Sequence, residues 1–256
     1  MASVSDVMTR NPVCVNPDDL VTHARSVFRK YGFRAMPVVD DRNRIVGIIS
    51  RGDVMLVTST KTNLKVSGIM NPNLFSVAPE DGIKYAAQML SSYGVRQLPV
   101  VKSGKVVGII SSMDILKRFF EEDIPPKKEK VADFMSEKVI YCEPDDDLTL
   151  IWNKMLVRGF SGLPVVENKV VKGMITRMDV LSHSRALLAK ESGKPRGVRV
   201  KKIMQTPAIT IRPSDKISRA AKLLVENKII RLPVVDDKHK LIGILDIEDV
   251  IRAYLS

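Results

Sequence analysis

Aromatic residues are scarce in this chain of 256 residues, of which only 5% are Phe, Trp or Tyr. A hydrophobic core must therefore be built mainly from Val, Ile, Leu, Ala and Met, since hydrophobic residues together make up 45% of the chain. β-Branched side chains pack well on a pleated sheet, and sheets covered by helices bury them. The composition therefore favours a fold in which helices cover sheets.

Cysteine is almost absent, and no apolar run approaches the length of a membrane helix. Only Cys14 and Cys142 occur, and two isolated cysteines make neither a disulfide framework nor a zinc site. A membrane helix needs roughly 18 apolar residues in a row, and the first residues contain no apolar core of a signal peptide. We therefore expect no membrane association and a cytoplasmic location.

Motifs of common catalytic and metal sites are also absent. The sequence has no glycine-rich phosphate loop and no dinucleotide-binding fingerprint. Its three histidines are scattered, and no His, Cys and Asp residues have metal-ligand spacing. No nucleophile is paired with a base. We therefore expect no metal, no catalytic cofactor and no enzymatic activity.

The formal net charge of +12 is the most unusual bulk property of the chain. A basic protein attracts anionic partners, which include nucleotides, nucleic acids and acidic protein surfaces. The run at residues 190–202 is strongly basic and could follow a phosphate backbone. Solubility alone would also explain the excess of Lys and Arg, so the net charge does not identify the partner.

Four features recur in the same order, and each of them occurs four times. A Pro-Val-Val tripeptide begins at Pro37, Pro99, Pro164 and Pro233. A methionine stands 29 residues before each proline, at Met8, Met70, Met135 and Met204. A glycine follows each tripeptide, at Gly47, Gly108, Gly173 and Gly243. An aspartate stands six residues after each glycine, at Asp53, Asp114, Asp179 and Asp249. This agreement in order and spacing identifies an internal repeat.

Each repeat is about 60 residues long, which is small for a domain that folds alone. In the first copy the pattern predicts a short strand at 12–15 and a helix from Leu20 to about Tyr31, ended by Gly32. Strands at 36–39 and 44–50 and a second helix from Asp53 follow. The predicted order is β-α-β-β-α, an α+β fold in which the repeats pack on each other.

These motifs resemble those of the CBS domain (cystathionine beta-synthase domain) family. Each lead-in segment ends in methionine, and the four lead-ins read VSDVM, VSGIM, VADFM and VKKIM. The proline strands read MPVVD, LPVVK, LPVVE and LPVVD. The glycine segments read GIISRGD, GIISSMD, GMITRMD and GILDIED. The resemblance covers essentially the whole chain.

The resemblance implies that the repeats pair side by side as two Bateman modules. We place repeats 1 to 4 at residues 1–60, 63–122, 128–188 and 197–256. Repeats 1 and 2 would form one module and repeats 3 and 4 the other, and the two would close into a flat disc. That architecture is similar to the gamma subunit of AMP-activated protein kinase. Residues 186–189 are predicted to extend the last helix of repeat 3.

The Gly-x-x-Ser/Thr-x-x-Asp segment has two readings. A hydroxyl followed three residues later by Asp forms a capping box, which binds no ligand. Alternatively, the carboxylate accepts hydrogen bonds from the two hydroxyls of a ribose, and the hydroxyl and helix N-terminus hold a phosphate. The resemblance implies a ribose role for Asp53, Asp114, Asp179 and Asp249, and a phosphate role for Ser50, Ser111 and Thr176. The glycine would leave room for a ligand or a backbone to approach.

The fourth repeat departs from this pattern, because Asp246 replaces the hydroxyl. A carboxylate there would repel a phosphate, so we expect at most three nucleotide sites. Repeat 3 departs in another way, since Ser161-Gly162 stands where the other repeats carry arginine, and it must borrow charge from a neighbour. The candidates for phosphate contacts are Arg34, Arg96, Arg231, Arg51 and Arg177.

An apolar slot for adenine should lie between the first strand and the proline strand. Its candidate lining residues are Val13, Met36, Val77, Leu98, Val139 and Leu163. Each of these side chains could equally belong to the hydrophobic core. The sequence alone does not separate the two roles.

Together these features predict a regulatory, energy-sensing protein that binds AMP, ADP or ATP. Ligand binding would change the geometry of the paired repeats and so act on an unidentified effector protein. S-adenosylmethionine is an alternative ligand, a nucleic acid is an alternative partner, and a purely structural adaptor is a third reading. Whether the chain also forms a homodimer is open.

Overall fold

The computed structural model describes residues 2–57, 62–183 and 197–255. Two sequence predictions fall outside these ranges. They are the helix extension at residues 186–189 and the first part of the basic run, residues 190–196.

Repeat 1 contains every element that its pattern predicts except a full first strand. Its elements are helix α1 (Val4–Val7), strand β1 (Thr9–Arg10), helix α2 (Val21–Tyr31), strands β2 (Ala35–Val39) and β3 (Ile45–Ser50), and helix α3 (Arg51–Leu56). Helix α2 ends at Gly32, whose φ of 70° is left-handed and suits glycine. The helix and both hairpin strands lie within one residue of their predicted bounds.

The other three repeats have the same plan. Repeat 2 contains α4 (Ile83–Tyr93), β4 (Gln97–Lys102), β5 (Lys105–Ser111) and α5 (Ser112–Glu121). Repeat 3 contains α6 (Leu148–Val157), β6 (Gly162–Glu167), β7 (Val170–Thr176) and α7 (Arg177–Ser182). Repeat 4 contains α8 (Ile217–Asn227), β8 (Arg231–Val235), β9 (Leu241–Asp246) and α9 (Ile247–Leu255). The α+β fold with four repeats is confirmed.

The predicted first strand at 12–15 is wrong in extent, because it is reduced to a single parallel bridge between Val15 and Val38. The other repeats have the same bridge, at Val77, Cys142 and Ile211. Pro12 and Pro17 flank this segment, and neither has an N–H with which to continue a ladder.

Each lead-in packs on the other repeat of its pair. Thr9 of repeat 1 pairs with Ile109 of repeat 2, while Asn71 of repeat 2 pairs with Ile48 of repeat 1. The lead-ins of repeats 3 and 4 are exchanged in the same way, through the bridges of Ser136 with Ile244 and of Gln205 with Met174. This reciprocal exchange confirms the expected pairing of repeat 1 with repeat 2 and of repeat 3 with repeat 4.

The repeated glycine makes room for the repeated methionine. A Cβ added at Gly47 would lie 2.6 Å from Met70 Sδ and 3.2 Å from the carbonyl oxygen of Asn71. Gly243 faces Met135 in the same way, at 2.8 Å from Sδ. The space beside each glycine, which we expected a ligand or a backbone to use, is filled by the lead-in of the other repeat in the pair. Methionine and glycine therefore recur together because they contact each other across each pair.

Two hydrophobic cores join the pairs to each other. One core combines helices of repeats 2 and 4, where the rings of Phe119 and Tyr254 stack with centroids 5.2 Å apart. The other combines repeats 1 and 3 and includes the fully buried Phe28 and Met155. Strand contacts within pairs and helix contacts between pairs close the repeats into a ring in the order 1-2-4-3.

Candidate functional site

A cavity of about 810 Å³ lies where the four repeats meet, and every repeat contributes to its lining. Five arginines line it, namely Arg34, Arg51, Arg96, Arg177 and Arg231. Among the described residues on its wall, Asp53 carries the sole carboxylate. The cavity is therefore strongly positive, and repeats that are distant in sequence supply that charge together.

The cavity contains two equivalent clefts, one in each pair of repeats. Cleft 1 is lined by Ser50 and Asp53 of repeat 1 and by side chains from 71–75 of repeat 2. Cleft 3 is lined by Thr176 of repeat 3 and by side chains from 205–209 of repeat 4, with Asp179 bonded to both. Each cleft thus needs two repeats, because the exchanged lead-in supplies its second wall.

The hydroxyl and the aspartate form a capping box in the first three repeats, at Ser50, Ser111 and Thr176. In repeat 1 the backbone N–H of Ser50 donates to Asp53 Oδ2 at 2.6 Å. Asp53 N–H in turn donates to Ser50 Oγ at 3.3 Å. The cap uses one carboxylate oxygen, so the capping and ligand-binding readings are compatible. In cleft 1 no described residue donates a hydrogen bond to Asp53 Oδ1.

Arg34 is the arginine of the cavity that lacks a partner. It makes no hydrogen bond or ion pair with any residue in the described part of the chain, although Arg96, Asp246 and Glu248 lie near enough to influence it. Burial, followed by the positive charge of Arg96, lowers the pKa of Arg34. Burying an unpaired charge is unfavourable, so an anion bound here would relieve that cost.

Arg51 and Arg177 begin α3 and α7, and each donates a hydrogen bond to a backbone carbonyl of its own repeat. Arg51 Nε donates to the carbonyl of Phe33 at 3.0 Å, and Arg177 Nη2 donates to that of Met155 at 3.2 Å. Arg177 Nε is buried with no hydrogen-bond partner among the described residues. Burial, with the charges of Arg34 and Arg177, lowers the pKa of Arg51 to about 10.

Repeat 4 neutralises the other two arginines with its own acids. Arg96 donates to Asp246 and to Glu248, each at 2.9 Å, and Arg231 also pairs with Asp246. Burial opposes the charge of Asp246, but bonds from Glu248 and Arg231 and the charge of Arg96 lower its pKa to about 2. Burial and the adjacent Asp246 raise the pKa of Glu248 to about 8. Asp246 Oδ1 is buried and has no hydrogen-bond partner among the described residues.

The missing arginine of repeat 3 is replaced by two neighbours. Arg96 of repeat 2 donates to Ser161 Oγ at 2.7 Å, and Arg231 of repeat 4 donates to the carbonyl of Gly162 at 2.7 Å. The same arginines therefore hold the acids of repeat 4 and the backbone of repeat 3. Their role in ligand binding remains a prediction, but the structure shows them tying three repeats together.

Most of the residues predicted to line the adenine slot lie elsewhere. Of that set, Leu98 lines the cavity and also belongs to a hydrophobic core, while Met36, Val77 and Leu163 are packed in the cores and do not line it. These three side chains are buried because they lie on the inner face of the sheet, which packs against the helices. Val13 is 39% exposed and Val139 is partly buried, and neither lines the cavity.

The sequence analysis missed Phe75, which lines cleft 1 and stacks on Tyr93 with ring centroids 3.7 Å apart. Its counterpart in cleft 3 is Ile209. Both residues stand five positions after a lead-in methionine. Alignment of the repeats on that methionine would have found them.

The remaining predicted residues lie at clefts 2 and 4, on the second repeat of each pair. A pocket of about 190 Å³ at cleft 2 is lined by Ser111, Arg34 and Arg96 among others. Burial raises the pKa of Asp114 there. In cleft 4, Asp249 Oδ1 accepts from Arg252, and Asp246 occupies the arginines. Cleft 4 is thus satisfied by protein groups, in line with its departure from the pattern.

Other kinds of site find no support in the described ranges. No group of three or more His, Cys, Asp or Glu side chains there is arranged to hold a metal ion. No helix there is both long and apolar enough to cross a membrane. Of the basic run, Lys201 pairs with Asp145, and Arg199 donates to the carbonyl of the same residue.

Comparison with known proteins agrees with the repeat and with the ring. The chain is 26% identical over 267 residues to the uncharacterised protein MJ1225 of Methanocaldococcus jannaschii, covering 94% of this chain and 95% of that protein. It is 31% identical over 261 residues to MJ1404 of the same organism, covering 97% of this chain and 61% of that protein.

Solved structures share the architecture. The crystal structure of MJ1225 has a TM-score of 0.87 at 24% identity, covering 98% of this chain and 99% of that one. A conserved protein from Pyrococcus horikoshii has a TM-score of 0.71 at 24% identity, covering 99% and 100%. The sequence model of the CBS domain matches residues 4–59, 66–121, 131–186 and 200–256, so the chain belongs to the CBS domain family.

Proposed function

We propose that this protein is a regulatory adenine-nucleotide sensor whose ligands bind in the cavity at the centre of the ring. The observation that carries the proposal is the convergence of arginines from all four repeats on one cavity, where Asp53 supplies the single carboxylate among the described lining residues. Guanidinium groups suit phosphate because they donate paired hydrogen bonds from a planar fork. Asp53 at the rim supplies the acceptor that a ribose needs.

In cleft 1 the ribose, the adenine and the phosphates of a nucleotide each have a suitable binding group. The open Oδ1 of Asp53 accepts from the ribose hydroxyls, and Phe75 offers a ring face to the adenine. The phosphates then extend to the ring centre, where Arg34 is unpaired and Arg177 Nε lacks a partner among the described residues. Arg34 also lines the pocket at cleft 2, so ligands in the two clefts would share it.

The charge of the cavity selects the phosphate-bearing ligand over S-adenosylmethionine. S-adenosylmethionine carries a sulfonium and an ammonium against a single carboxylate, so a net positive charge would face Arg34, Arg51 and Arg177. A nucleotide instead brings the negative charge that lowers their mutual repulsion. We therefore place AMP, ADP and ATP ahead of S-adenosylmethionine.

A ligand in cleft 1 touches repeats 1 and 2 and reaches toward arginines of repeats 1 and 3. Binding therefore favours the ring geometry in which those groups converge, and it shifts the population of conformations toward that geometry. We propose that an effector protein binds one of these conformations preferentially and so responds to the nucleotide. The MJ1225 crystal structure is described as that of a candidate archaeal homologue of g-AMPK, which is in keeping with an energy-sensing role here.

Isothermal titration of the full chain with AMP, ADP, ATP and S-adenosylmethionine tests the proposal. We expect heat from the three nucleotides, and a lower affinity in the Asp53→Ala and Arg34→Ala variants. Asp145→Ala is the matched control, since the Asp145 side chain pairs with Lys201 at the exposed surface and does not line the cavity. No binding of any nucleotide, or unchanged binding by Asp53→Ala, would contradict the proposal.

A further inference from the structure

Clefts 1 and 3 differ at the residue that follows the lead-in methionine. In cleft 1 this residue is Asn71, whose Oδ1 accepts a hydrogen bond from the backbone N–H of Asn73 at 2.9 Å. The amide is thus held on its own lead-in, in an Asx turn. In cleft 3 the residues at these two positions are Gln205 and Pro207, and a proline has no N–H to donate.

Gln205 instead reaches across cleft 3 to the aspartate of repeat 3. Its Nε2 donates to Asp179 Oδ1 at 3.0 Å. Asp179 Oδ2 already accepts from the backbone N–H of Thr176 at 2.7 Å and from Thr176 Oγ1 at 2.6 Å. Both oxygens of Asp179 are therefore occupied by protein donors, whereas Asp53 Oδ1 has no donor among the described residues.

We propose that Gln205 is a gate that makes cleft 3 a weaker nucleotide site than cleft 1. The inference rests on the proposed function and states which of its sites fill first. A ribose entering cleft 3 must displace the Gln205 amide, while a ribose entering cleft 1 displaces only water. The Gln205–Asp179 bond is exposed to solvent, so it can be broken, and the gate weakens binding without abolishing it.

The size of the effect follows from the value of one hydrogen bond. Such a bond contributes about 1 kcal/mol net, which corresponds to a change of roughly five- to tenfold in Kd. Two sites that differ by this factor respond over a wider range of nucleotide concentration than two equal sites. The gate would thus extend the range over which the sensor responds.

Titration of the full-length Gln205→Ala variant with AMP tests the gate. We expect the weaker dissociation constant to tighten five- to tenfold and the tighter one to stay unchanged. Adding Asp179→Ala to this variant should remove the gain, because the freed oxygen belongs to Asp179. Thr206→Ala is the neighbouring control, since its hydroxyl bonds to the carbonyl of Lys172 and does not line the cavity.

The outcomes separate the gate from the proposed function. If Asp53→Ala weakens AMP binding but Gln205→Ala changes no dissociation constant, the gate is overturned and the proposed function stands. A gain in affinity that persists when Asp179→Ala is added also overturns the gate. If the wild type and Gln205→Ala both bind no AMP, the gate and the proposed function are overturned together. Because Gln205 is exposed, a thermal melt should show that its variant folds normally.

Discussion

Replacing Asp246 with Asn should destabilise the ring while strengthening its response to nucleotide. Asp246 pairs with Arg231 and Arg96, and its side chain is only 15% exposed. Asn preserves the shape of the side chain but removes the negative charge. Arg231, at 12% exposed, then loses its ion-pair partner, and Arg96 retains Glu248 alone.

The magnitude follows from the burial of these groups. Removing one partner of a buried ion pair costs about 3–5 kcal/mol, because the other charge stays buried without compensation. Arg96 is 31% exposed and keeps Glu248, so we expect a loss near the lower end, about 3 kcal/mol. Denaturation by urea, followed by circular dichroism, measures the free energy of unfolding of both proteins.

Repeating the measurement with AMP distinguishes the loss of the ion pair from a general loss of packing. With Asp246 neutral, the phosphates of a nucleotide meet Arg231 without its ion-pair partner and Arg96 paired with Glu248 alone. AMP should therefore raise the melting temperature of Asp246→Asn more than it raises that of the wild type, since a tighter ligand stabilises the folded state more.

Asp145→Asn serves as the control, because its pair with Lys201 is exposed to solvent and screened by water, so its loss should change the stability little. The reasoning is refuted if the unfolding free energy of Asp246→Asn stays within about 0.5 kcal/mol of the wild type. It is refuted equally if AMP stabilises the variant less than it stabilises the wild type.

Three further predictions follow from the pairing and from the central charges. Gly47→Ala should lower the free energy of unfolding in urea by about 1–3 kcal/mol, since its Cβ would crowd Met70 and the backbone. Gly82→Ala is the control and should change that free energy little, because a Cβ there would meet no other atom within 4 Å. Because the folded pKa of Glu248 is raised from 4.5 to about 8, its stabilising contribution is complete below pH 4.5 and is lost as the pH rises toward 8. Urea denaturation across that range should show a smaller decline in stability for Glu248→Gln than for the wild type, and an equal decline would contradict the raised pKa of Glu248. Arg34→Ala should weaken AMP binding in calorimetry by roughly tenfold or more, the value of a charged hydrogen bond, and an unchanged affinity would exclude Arg34 from the phosphate site.

Much of the fold could be predicted from the sequence because its signals are local. Helical periodicity from Leu20 to Tyr31 and the glycine after it define α2 to within one residue. The repeat spacing then transfers the plan of one copy to the other three. The first strand could not be predicted in the same way, since Val15 forms a single bridge whose partner, Val38, lies in another segment.

The site was only partly predictable. In the first three repeats the hydroxyl and the aspartate stand at fixed spacing, so their capping geometry follows from sequence alone. Met36 and Leu163 show the limit of that approach, because strand residues on a core face and on a cavity face look alike in sequence. Alignment on the lead-in methionine singles out the position of Phe75, but the tertiary structure was needed to place it in the same cavity wall as Ser50 and Asp53 of repeat 1.

By itself the sequence determined four repeats of one α+β unit and the residues that recur in them, because periodicity and spacing are properties of a linear chain. The tertiary structure alone decided that methionine and glycine contact each other across a pair, and that arginines of all four repeats meet in one cavity. It also decided that Asp246 pairs with two of those arginines and that Gln205 donates a hydrogen bond to Asp179. These relations join residues of different repeats, and they depend on which surfaces pack when the ring closes.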